Sequence, residues 1–567
     1  MQLILEKTKR RITRSGTLVA LTLALTAAGQ AGKLSKDLQG LSATATTEVI
    51  VQFAANPTST AVNKVKAKGG TLKKQFTKVP FALYSLPTAS VNDIVANTDV
   101  VYASANRSVK GALDYANPAV NAPLALAQGW NGGNIGIAVI DSGVNGTHPD
   151  LTGRVAYSQN FVPYESTTAD TFGHGTHVAV IAAGDASASS GANMTRSFRG
   201  AAPGAKIINL RVLNSLGVGT DADVIAAIER AIELKTTYNI RVINLSLGRG
   251  IFESYTTDPL CRTVEAAWNA GIFVAVAAGN GGRNNTMGTN GYGTIASPGN
   301  DPYVLTVGAV KDVKTATRAD DVIASYSSKG PTLLDRIAKP DVVAPGNLII
   351  AAKVTGSGLL SLYPGNTVSL SYYTTNKTKT SSDYFTLSGT SMATPMVSGM
   401  AALMLQKDPT LTPNVIKARL MRTATKTFPW QVSVTDPVTG VTYTSQHDLF
   451  TVGAGYVDAF AALNDVSTSS RVALSPKVIF NSTTQAATLS LQYIAGVNVI
   501  WGENVIWGEN VIWGDNVIWG TANTVTGGAN VIWGDSTSTG FNVIWGDNVI
   551  WGDATLFDTA MAVKGEN

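Results

Sequence analysis

Residues 135–143 read Ile-Gly-Ile-Ala-Val-Ile-Asp-Ser-Gly, an apolar run that ends on a carboxylate. Similar runs recur at Ala205–Leu213, Arg241–Leu247 and Ile272–Ala278, and their largely apolar character predicts strands buried on both faces. The stretches between them are amphipathic or rich in small residues, as in Ala222–Leu234, and they predict helices. This alternation predicts an α/β fold built around a parallel sheet with helices on both faces.

Three short motifs place reactive side chains next to these elements. Asp141 ends the first strand, where the carboxyl ends of parallel strands collect functional groups. His174 begins an apolar helix in Gly-His-Gly-Thr-His-Val-Ala, and Ser391 in Gly-Thr-Ser-Met-Ala-Thr-Pro opens the predicted helix Met392–Leu405. A serine hydroxyl is a weak nucleophile that needs a base, and the base needs a carboxylate to fix its tautomer. The three residues supply these three parts.

These motifs resemble those of the subtilisin-like (subtilase, S8) serine peptidases, which share the order Asp, His, Ser. The resemblance spans roughly residues 120–465 and includes five further stretches: Asn244-Leu-Ser-Leu-Gly248, Ala277-Ala-Gly-Asn280, Ser327-Ser-Lys-Gly-Pro331, Lys339-Pro-Asp-Val-Val-Ala-Pro-Gly346 and Gly453-Ala-Gly-Tyr-Val-Asp-Ala459. Several motifs in the right order are far more specific than a lone Gly-Thr-Ser. The resemblance implies a subtilisin-like fold over residues 115–465 and hydrolysis of peptide bonds through an acyl-enzyme.

The resemblance also implies roles for single residues. Ser391 would attack the scissile carbonyl, His174 would act as general base and then as acid, and Asp141 would orient His174. Asn280 matches the family's oxyanion residue, whose side-chain amide would act together with the backbone N–H of Ser391. The alternative for Asn280 is an ordinary turn residue between glycines.

Two stretches match the edges that pair with substrate in this family: Ser246, Leu247 and Gly248 in one, and Leu216 and Gly217 in the other. Main-chain pairing with an extended peptide is a form of strand addition, which reads peptide shape more than side-chain identity. The expected activity is therefore that of an endopeptidase of broad specificity on polypeptides, with no cofactor required for the chemistry. Side-chain preference is expected to depend on loops such as 291–300.

Metal chemistry has weaker support in the sequence. His174 and His177 lie three residues apart, but no Glu stands between them as in His-Glu-x-x-His metalloproteases, so His177 is expected to pack and hydrogen bond. Asp150 matches a position that binds calcium in some subtilases. The Ser/Ala/Gly-rich stretch 184–200 does not match the family's accompanying calcium loop. A structural calcium ion at Asp150 is therefore a hypothesis with one candidate ligand.

Composition and charge exclude several classes of protein. With 44% hydrophobic and 14% charged residues, the 567-residue chain is neither a disordered tail protein nor a coiled coil. The single cysteine, Cys261, excludes an intramolecular disulfide framework and is expected to be a small buried residue. Residues 1–110 carry 15 basic against 5 acidic side chains, so the net charge of +5 leaves the remainder acidic. Nucleic-acid binding is not expected.

The N-terminal residues predict an export signal over 1–31 and hence a secreted or cell-surface protein. A basic stretch between Lys7 and Arg14 precedes the apolar run Leu18–Ala28, which is too short for a stable membrane anchor. A retained membrane helix is the alternative.

Residues 32–110 predict a basic α+β unit with its core at 47–110, made of two helices on a small antiparallel sheet. By the resemblance, this unit is an inhibitory propeptide that acts as an intramolecular chaperone and is cleaved near Val109–Ala116. Its positive charge would complement the acidic remainder, and a solvated basic face is the alternative.

The α/β alternation stops after residue 465. Residues 466–497 predict a linker with a short β segment, residues 498–553 carry Asn-Val-Ile-Trp-Gly repeats, and residues 554–567 form a C-terminal tail. A spacing of six residues is even, so an extended strand or a β-solenoid would align the tryptophans on one side. Three roles stay open for this β-rich tail: self-association, binding to a cell surface, and calcium binding. The alternative for the whole chain is an adhesive repeat protein whose peptidase domain is self-processing or silent.

Overall fold

A computed structural model of the chain describes residues 33–34, 38, 46–75, 80–105, 113–286, 288–376, 378–429, 431–436, 440–468, 473–481, 486–489 and 524–526. The chain divides into two compact units, Met1–Val109 and Lys110–Asn567. The predicted export signal, the tryptophan repeats and the 554–567 tail lie outside the described residues. Within the described ranges, every helix is too short or too polar to cross a bilayer.

The first unit contains a four-stranded antiparallel sheet and two α-helices. Its elements are β1 Thr46–Phe53, α1 Ser59–Lys66, β2 Thr71–Gln75, β3 Phe81–Pro87, α2 Val91–Val95 and β4 Val100–Ala105, with strand order β2–β3–β1–β4. Side chains of both helices and of the sheet share one buried apolar cluster. The sequence predicted two helices on a small antiparallel sheet for 47–110, and this unit has that composition. Strand β2 has largely exposed, polar side chains.

The second unit combines a large sheet, helices and smaller hairpins. Its strands are β5 Gly136–Asp141, β6 Val155–Asn160, β7 Lys206–Arg211, β8 Ile240–Leu245, β9 Phe273–Ala277, β10 Leu305–Lys311, β11 Val322–Ile323, β12 Val342–Pro345, β13 Ile349–Ala352, β14 Tyr384–Leu387, β15 Gln431–Thr435, β16 Thr442–Gln446, β17 Val478–Asn481, β18 Ala486–Leu489 and β19 Thr524–Thr526. Its α-helices are α3 Leu113–Ala119, α4 Ala122–Ala127, α5 His174–Ala183, α6 Asp221–Glu233, α7 Lys235–Tyr238, α8 Pro259–Asn269, α9 Gly358–Leu362, α10 Leu370–Tyr373, α11 Thr390–Lys407, α12 Pro413–Thr423, α13 Leu449–Val452 and α14 Ala459–Asn464.

The central sheet has the strand order β11–β10–β9–β8–β5–β7–β6, and β12 also pairs with β10. Its pairs are parallel except for the antiparallel pair β10–β11. The sheet is therefore mixed and mostly parallel, whereas the sequence predicted a parallel sheet. Strands β6, β10, β11 and β12 were not predicted, and β11 contains only two residues, too few to show a period.

Two groups of helices pack on this sheet. Helix α11 packs against α5 and against β5, β8, β9, β10 and β12, while α6 and α8 pack together and contact β5, β8 and β9. Every residue of β5 and of β9 is buried, so both faces of these strands are covered, as the apolar runs predicted. All residues of α5 are also buried, which is typical of a helix in a protein core.

Part of the predicted linker packs in the core of the second unit. Ala473 and Val478 belong to its main apolar cluster, and Ser475 is fully buried. Val478 N donates to Arg336 O, and Ser475 N donates to Pro302 O, both within hydrogen-bond distance. Residues 473–478 therefore pack as part of this unit, although the Ser/Thr-rich composition before them is typical of a linker.

Candidate active site

Asp141 and His174 form a buried hydrogen-bonded pair. Asp141 is the last residue of β5 and His174 is the first residue of α5, so rigid elements hold both side chains. Asp141 Oδ1 lies 2.7 Å from His174 Nδ1 and accepts a second hydrogen bond from Ser142 N at 2.7 Å. This contact orients the ring and leaves Nε2 on its other side. His174 Nε2 is buried and has no hydrogen-bond partner in the part of the chain that the structure describes.

The surroundings of His174 suit a general base. Burial lowers the pKa of His174, but the charge and hydrogen bond of Asp141 and the charge of Asp170 raise it, and the pKa lies above its ordinary value. Burial and the neighbouring His174 lower the pKa of His177 to about 3, so His177 is neutral near pH 7. His177 Nε2 lies 3.1 Å from Phe385 O. The packing and hydrogen-bonding role expected for His177 agrees with this contact.

The side-chain amide of Asn280 is held at the start of helix α11. Its Oδ1 accepts hydrogen bonds from Thr390 N at 3.0 Å and from Thr390 Oγ1 at 3.2 Å. Because a backbone N–H can only donate, this contact fixes the amide orientation and directs Nδ2 away from Thr390. Nδ2 is buried and lacks a hydrogen-bond partner among the described residues. An unpaired buried donor costs about 1–3 kcal/mol, and a hydrogen-bond acceptor bound beside Nδ2 would remove that cost.

Ser391 lies in the first turn of α11 and is joined to the loop after β8. Ser391 Oγ donates to Ser246 O at 3.1 Å, and Ser246 Oγ donates to Ser391 O at 2.8 Å. The candidate nucleophile is therefore hydrogen-bonded to the 246–248 stretch, one of the two candidate substrate edges. The first-turn N–H groups of a helix have no intrahelical acceptor, and the helix dipole favours negative charge near Ser391 N.

The second candidate edge contacts the loop that precedes His174. Leu216 is 70% exposed, and Gly217 has a φ of 79°, a conformation that L side chains rarely adopt. A Cβ at Gly217 would lie 2.6 Å from the ring of Phe172, two residues before His174. At the other edge, Leu247 is buried, and a Cβ at Gly248 would lie 3.0 Å from Ala296 Cβ. Gly217 thus requires glycine, and Gly248 lies where another loop of the unit approaches closely.

Asp170 is a positioning residue that the sequence analysis missed. Its buried carboxylate accepts hydrogen bonds from Ser142 Oγ at 2.8 Å, Gly173 N at 2.6 Å, Thr176 N at 2.8 Å and Thr176 Oγ1 at 2.7 Å. It therefore joins the turn after β5 to the first turn of α5. Burial raises the pKa of Asp170, and these hydrogen bonds oppose that rise. The sequence signal was an acid four residues before His174.

The substitution Asp170→Asn is expected to reduce the rate and to shift its pH dependence. The charge of Asp170 raises the pKa of His174, so a neutral amide lowers that pKa and moves the acid limb of kcat/KM to lower pH. We expect kcat/KM at its optimum to fall about tenfold or more. The amide has one acceptor oxygen and cannot accept all the hydrogen bonds that the two carboxylate oxygens of Asp170 accept, so the first turn of α5 is held less well. Steady-state kinetics across pH measure both effects. An acid limb at the wild-type pH contradicts the prediction, and Asp320→Asn, in an exposed 3₁₀ turn, is the control.

Asp150 and Cys261 add no chemistry to this site. Asp150 Oδ1 accepts a hydrogen bond from Ala188 N at 2.7 Å, and Oδ2 accepts one from Tyr384 Oη at 2.9 Å. Across the described ranges, no group of three or more His, Cys, Asp or Glu side chains converges. Both carboxylate oxygens of Asp150 thus accept hydrogen bonds from protein donors, and the calcium ion at Asp150 stays a hypothesis. Cys261 is fully buried, and burial raises its pKa well above the ordinary value, so it stays a thiol.

Comparison with known proteins agrees with this geometry. The model of the subtilase family matches residues 132–455. Serine protease AprX of Bacillus subtilis (strain 168) is 39% identical over 369 residues, which cover 63% of this chain and 76% of that protein. Subtilisin E of the same strain is 34% identical over 366 residues (64% and 80%), and subtilisin DY of Bacillus licheniformis is 36% identical over 312 residues (55% and 91%). The resemblance seen in the motifs is thus confirmed at the level of the family: the chain belongs to the subtilase family.

Proposed function

We propose that this chain is a serine endopeptidase that hydrolyses polypeptides through an acyl-enzyme, with Ser391 as nucleophile, His174 as general base and acid, and Asp141 as the orienting carboxylate. The observation that carries the proposal is the buried Asp141–His174 pair, whose Nε2 has no hydrogen-bond partner among the described residues. Serine protease AprX, whose name describes a serine protease, supports the same reaction.

In the acylation step, Ser391 Oγ attacks the scissile carbonyl carbon while its proton passes to His174 Nε2. The hydroxyl donates to Ser246 O in this structure, so it has to turn toward Nε2 when substrate binds. The Asp141 carboxylate accepts the Nδ1–H and stabilises the imidazolium. His174 then gives the proton to the leaving amine nitrogen, and a water molecule hydrolyses the acyl-enzyme by the same route.

The negative charge that develops on the carbonyl oxygen needs hydrogen-bond donors. Asn280 Nδ2 and Ser391 N are the proposed donors, because both adjoin the start of α11 and Nδ2 has no other partner in the described chain. Donors that are fixed before the reaction stabilise the transition state without reorganising during it.

The substitution Asn280→Ala is expected to lower kcat by about 10²–10³ while KM stays within about threefold, since the lost donor acts on charge that forms only in the transition state. Initial rates on a peptide anilide separate the two constants. Asn464→Ala, at the exposed end of α14, is the matched control. If the variant keeps the wild-type kcat, Asn280 does not donate to the oxyanion.

The proposed function is tested on the purified chain with casein and a sulfonyl fluoride, which reacts with activated serines. We expect casein hydrolysis, its loss after treatment, and one sulfonyl adduct on the peptide that contains Ser391, detected by mass spectrometry. Intact casein together with an unlabelled Ser391 would reject the endopeptidase.

The proposal includes a precursor with an export signal at 1–31, an inhibitory propeptide at 32–110 that is cleaved near Val109–Ala116, and secretion of the enzyme to the cell surface or medium. The first unit has its own core and ends at Val109, which supports a cut in this range. The 498–553 repeats are proposed as a β-rich tail that binds a cell surface or self-associates. A silent peptidase domain on an adhesive protein is disfavoured, because Asp141, His174, Asn280 and Ser391 are all present.

A further inference from the structure

Arg249 directly follows one proposed substrate edge and is tied to the other by an ion pair. Its Nε lies 3.0 and 2.9 Å from the two carboxylate oxygens of Asp221. Asp221 is the first residue of α6, and it follows the Leu216–Gly217 edge after three intervening residues. Arg249 follows Ser246–Gly248 without a gap. The Arg249–Asp221 pair therefore connects the two edges between which an extended peptide would lie.

A second carboxylate connects Arg249 to the loop expected to set side-chain preference. Arg249 Nη2 lies 2.9 Å from Asp258 Oδ1, and Asp258 Oδ2 accepts a hydrogen bond from Ser297 Oγ at 2.7 Å. Arg249 and Ser297 also exchange two backbone hydrogen bonds of 3.0 and 2.8 Å. Ser297 belongs to the 291–300 loop, so Arg249 joins three loops of the proposed cleft through its guanidinium, its backbone and Asp258.

The chemistry of Arg249 suits this task. Arg249 is 8% exposed and Asp258 is fully buried, so solvent screens their ion pair weakly. A planar guanidinium offers donors in fixed directions and can bind two carboxylates at once, whereas a lysine ammonium has no such fork. Within the described residues, Arg249 also donates from Nη1 to Gly250 O, which fixes the plane of the guanidinium against its own loop.

We propose that Arg249 is a positioning residue that sets the separation of the 216–217 and 246–248 edges, and that it thereby determines how strongly the enzyme prefers extended peptides to short substrates. This inference rests on the proposed peptidase function. Strand addition uses main-chain hydrogen bonds on both sides of the peptide, so a shift of one edge weakens binding of long substrates. A short ester that reaches only the reacting groups does not use both edges.

The test compares a tetrapeptide anilide with an N-acyl ester of a single amino acid on the full chain. For Arg249→Met, we expect kcat/KM on the tetrapeptide to fall about tenfold or more, chiefly through KM, while the ester changes less than about threefold. Arg249→Lys is expected to resemble Arg249→Met, because lysine cannot hold both carboxylates. Arg318→Met breaks an ion pair with Asp458 outside these loops, and it is expected to leave the ratio of the two rates unchanged.

Asp221→Asn provides a second variant that does not depend on the folding of the Arg249 variants. It weakens the tie to the 216–217 edge while Arg249 keeps its ion pair with Asp258, so the same loss on the tetrapeptide supports the inference. Equal losses on both substrates, or no loss on either, would overturn it. Wild-type protein that cleaves neither substrate would reject the proposed function, and the inference would fall with it.

Discussion

Ser391→Ala is expected to lower the rate of casein hydrolysis by about 10⁶, because in subtilisin, a member of the same family, removal of the nucleophile has an effect of this size. The substitution removes only the hydroxyl group, and the hydrogen bond from this group to Ser246 O is lost with it. Asp141, His174 and the Asn280 amide stay in place, so the variant is expected to bind substrate without forming an acyl-enzyme.

Wild type and Ser391→Ala are expressed side by side, and mass spectrometry identifies their N-termini. Under the proposed self-maturation, the wild type is trimmed near residue 110, whereas the variant keeps the N-terminus left after export. Equal trimming of both would mean that another protease matures the chain. If wild type and Ser391→Ala hydrolyse casein at equal rates, Ser391 is not the nucleophile.

Ser445→Ala is the matched control for this substitution. Ser445 lies on β16 and is as buried as a core residue, and its Oγ has no hydrogen-bond partner within the described ranges. The chemical change and the burial are the same as at Ser391, but the hydroxyl is outside the site. We expect wild-type activity and equal or slightly higher stability, because an unpaired buried hydroxyl is removed.

Four strands of the sheet, β5, β7, β8 and β9, could be predicted from sequence because long apolar runs mark them, whereas the buried strands β10 and β12 were not predicted. The apolar run within residues 135–143 contains the strand Gly136–Asp141, and Ile272–Ala278 contains the strand Phe273–Ala277. Such strands show a continuous apolar signal that needs no knowledge of their neighbours. Strands β2 and β11 lack that signal, since one is polar and the other is two residues long. Only their pairing with the neighbouring strands β3 and β10 defines them.

The same division applies to the site. Asp141, His174, Asn280 and Ser391 lie in short motifs, so a local reading of the sequence could nominate them. The contacts of Asp170 with Ser142 and of Arg249 with Asp221 and Ser297 join residues far apart in the chain. A lone Asp or Arg in a loop resembles any solvated residue, and its role follows only from what the fold brings beside it.

Asp341→Asn is expected to lower the free energy of unfolding by about 3–5 kcal/mol, because it leaves buried lysines without their counter-charge. Asp341 Oδ2 lies 2.6 Å from Lys339 Nζ, and Oδ1 lies 3.4 Å from Lys417 Nζ. All three side chains are fully buried. Asp341 Oδ2 also accepts a hydrogen bond from Thr306 N at 2.7 Å. A loss of this size is a large fraction of the total stability of a typical domain.

The pH dependence gives this prediction a second readout. Burial raises the pKa of Asp341, but the charges of Lys339 and Lys417 bring it below the ordinary value, so its stabilisation is present above pH 3.8 and is lost as the pH falls through the lower folded-state pKa. Burial lowers the pKa of Lys417 to about 7. Between about pH 7 and 10.5, Lys417 is protonated in the unfolded chain but largely neutral in the folded one. The unfolded state therefore binds more protons, and the free energy of unfolding rises with pH across this range. Without Asp341 that rise is expected to begin at lower pH.

The cluster also includes Ser475, which lies beyond residue 470. Lys417 Nζ donates to Ser475 Oγ at 2.9 Å, and Ser475 Oγ in turn donates to Asp341 Oδ1. A truncation near residue 470, intended to remove the repeats, would therefore remove a hydrogen-bond partner of both buried charges. A chain that ends after residue 489 keeps this partner and is the better background for testing the repeats.

Unfolding by urea, followed by fluorescence in the Ser391→Ala background to prevent self-digestion, measures the effect of Asp341→Asn at about pH 6 and about pH 9. Glu233→Gln is the control, because it removes an exposed carboxylate 2.8 Å from Arg230. We expect it to change the free energy of unfolding by less than about 0.5 kcal/mol. The comparison shows whether burial of the ion pair, and not loss of a charge alone, causes the effect of Asp341→Asn. If Asp341→Asn is as stable as wild type at the lower pH, the buried lysines do not depend on its charge. A deficit that shrinks at the higher pH, where Lys417 loses its proton, identifies the unpaired ammonium groups as the source of the instability.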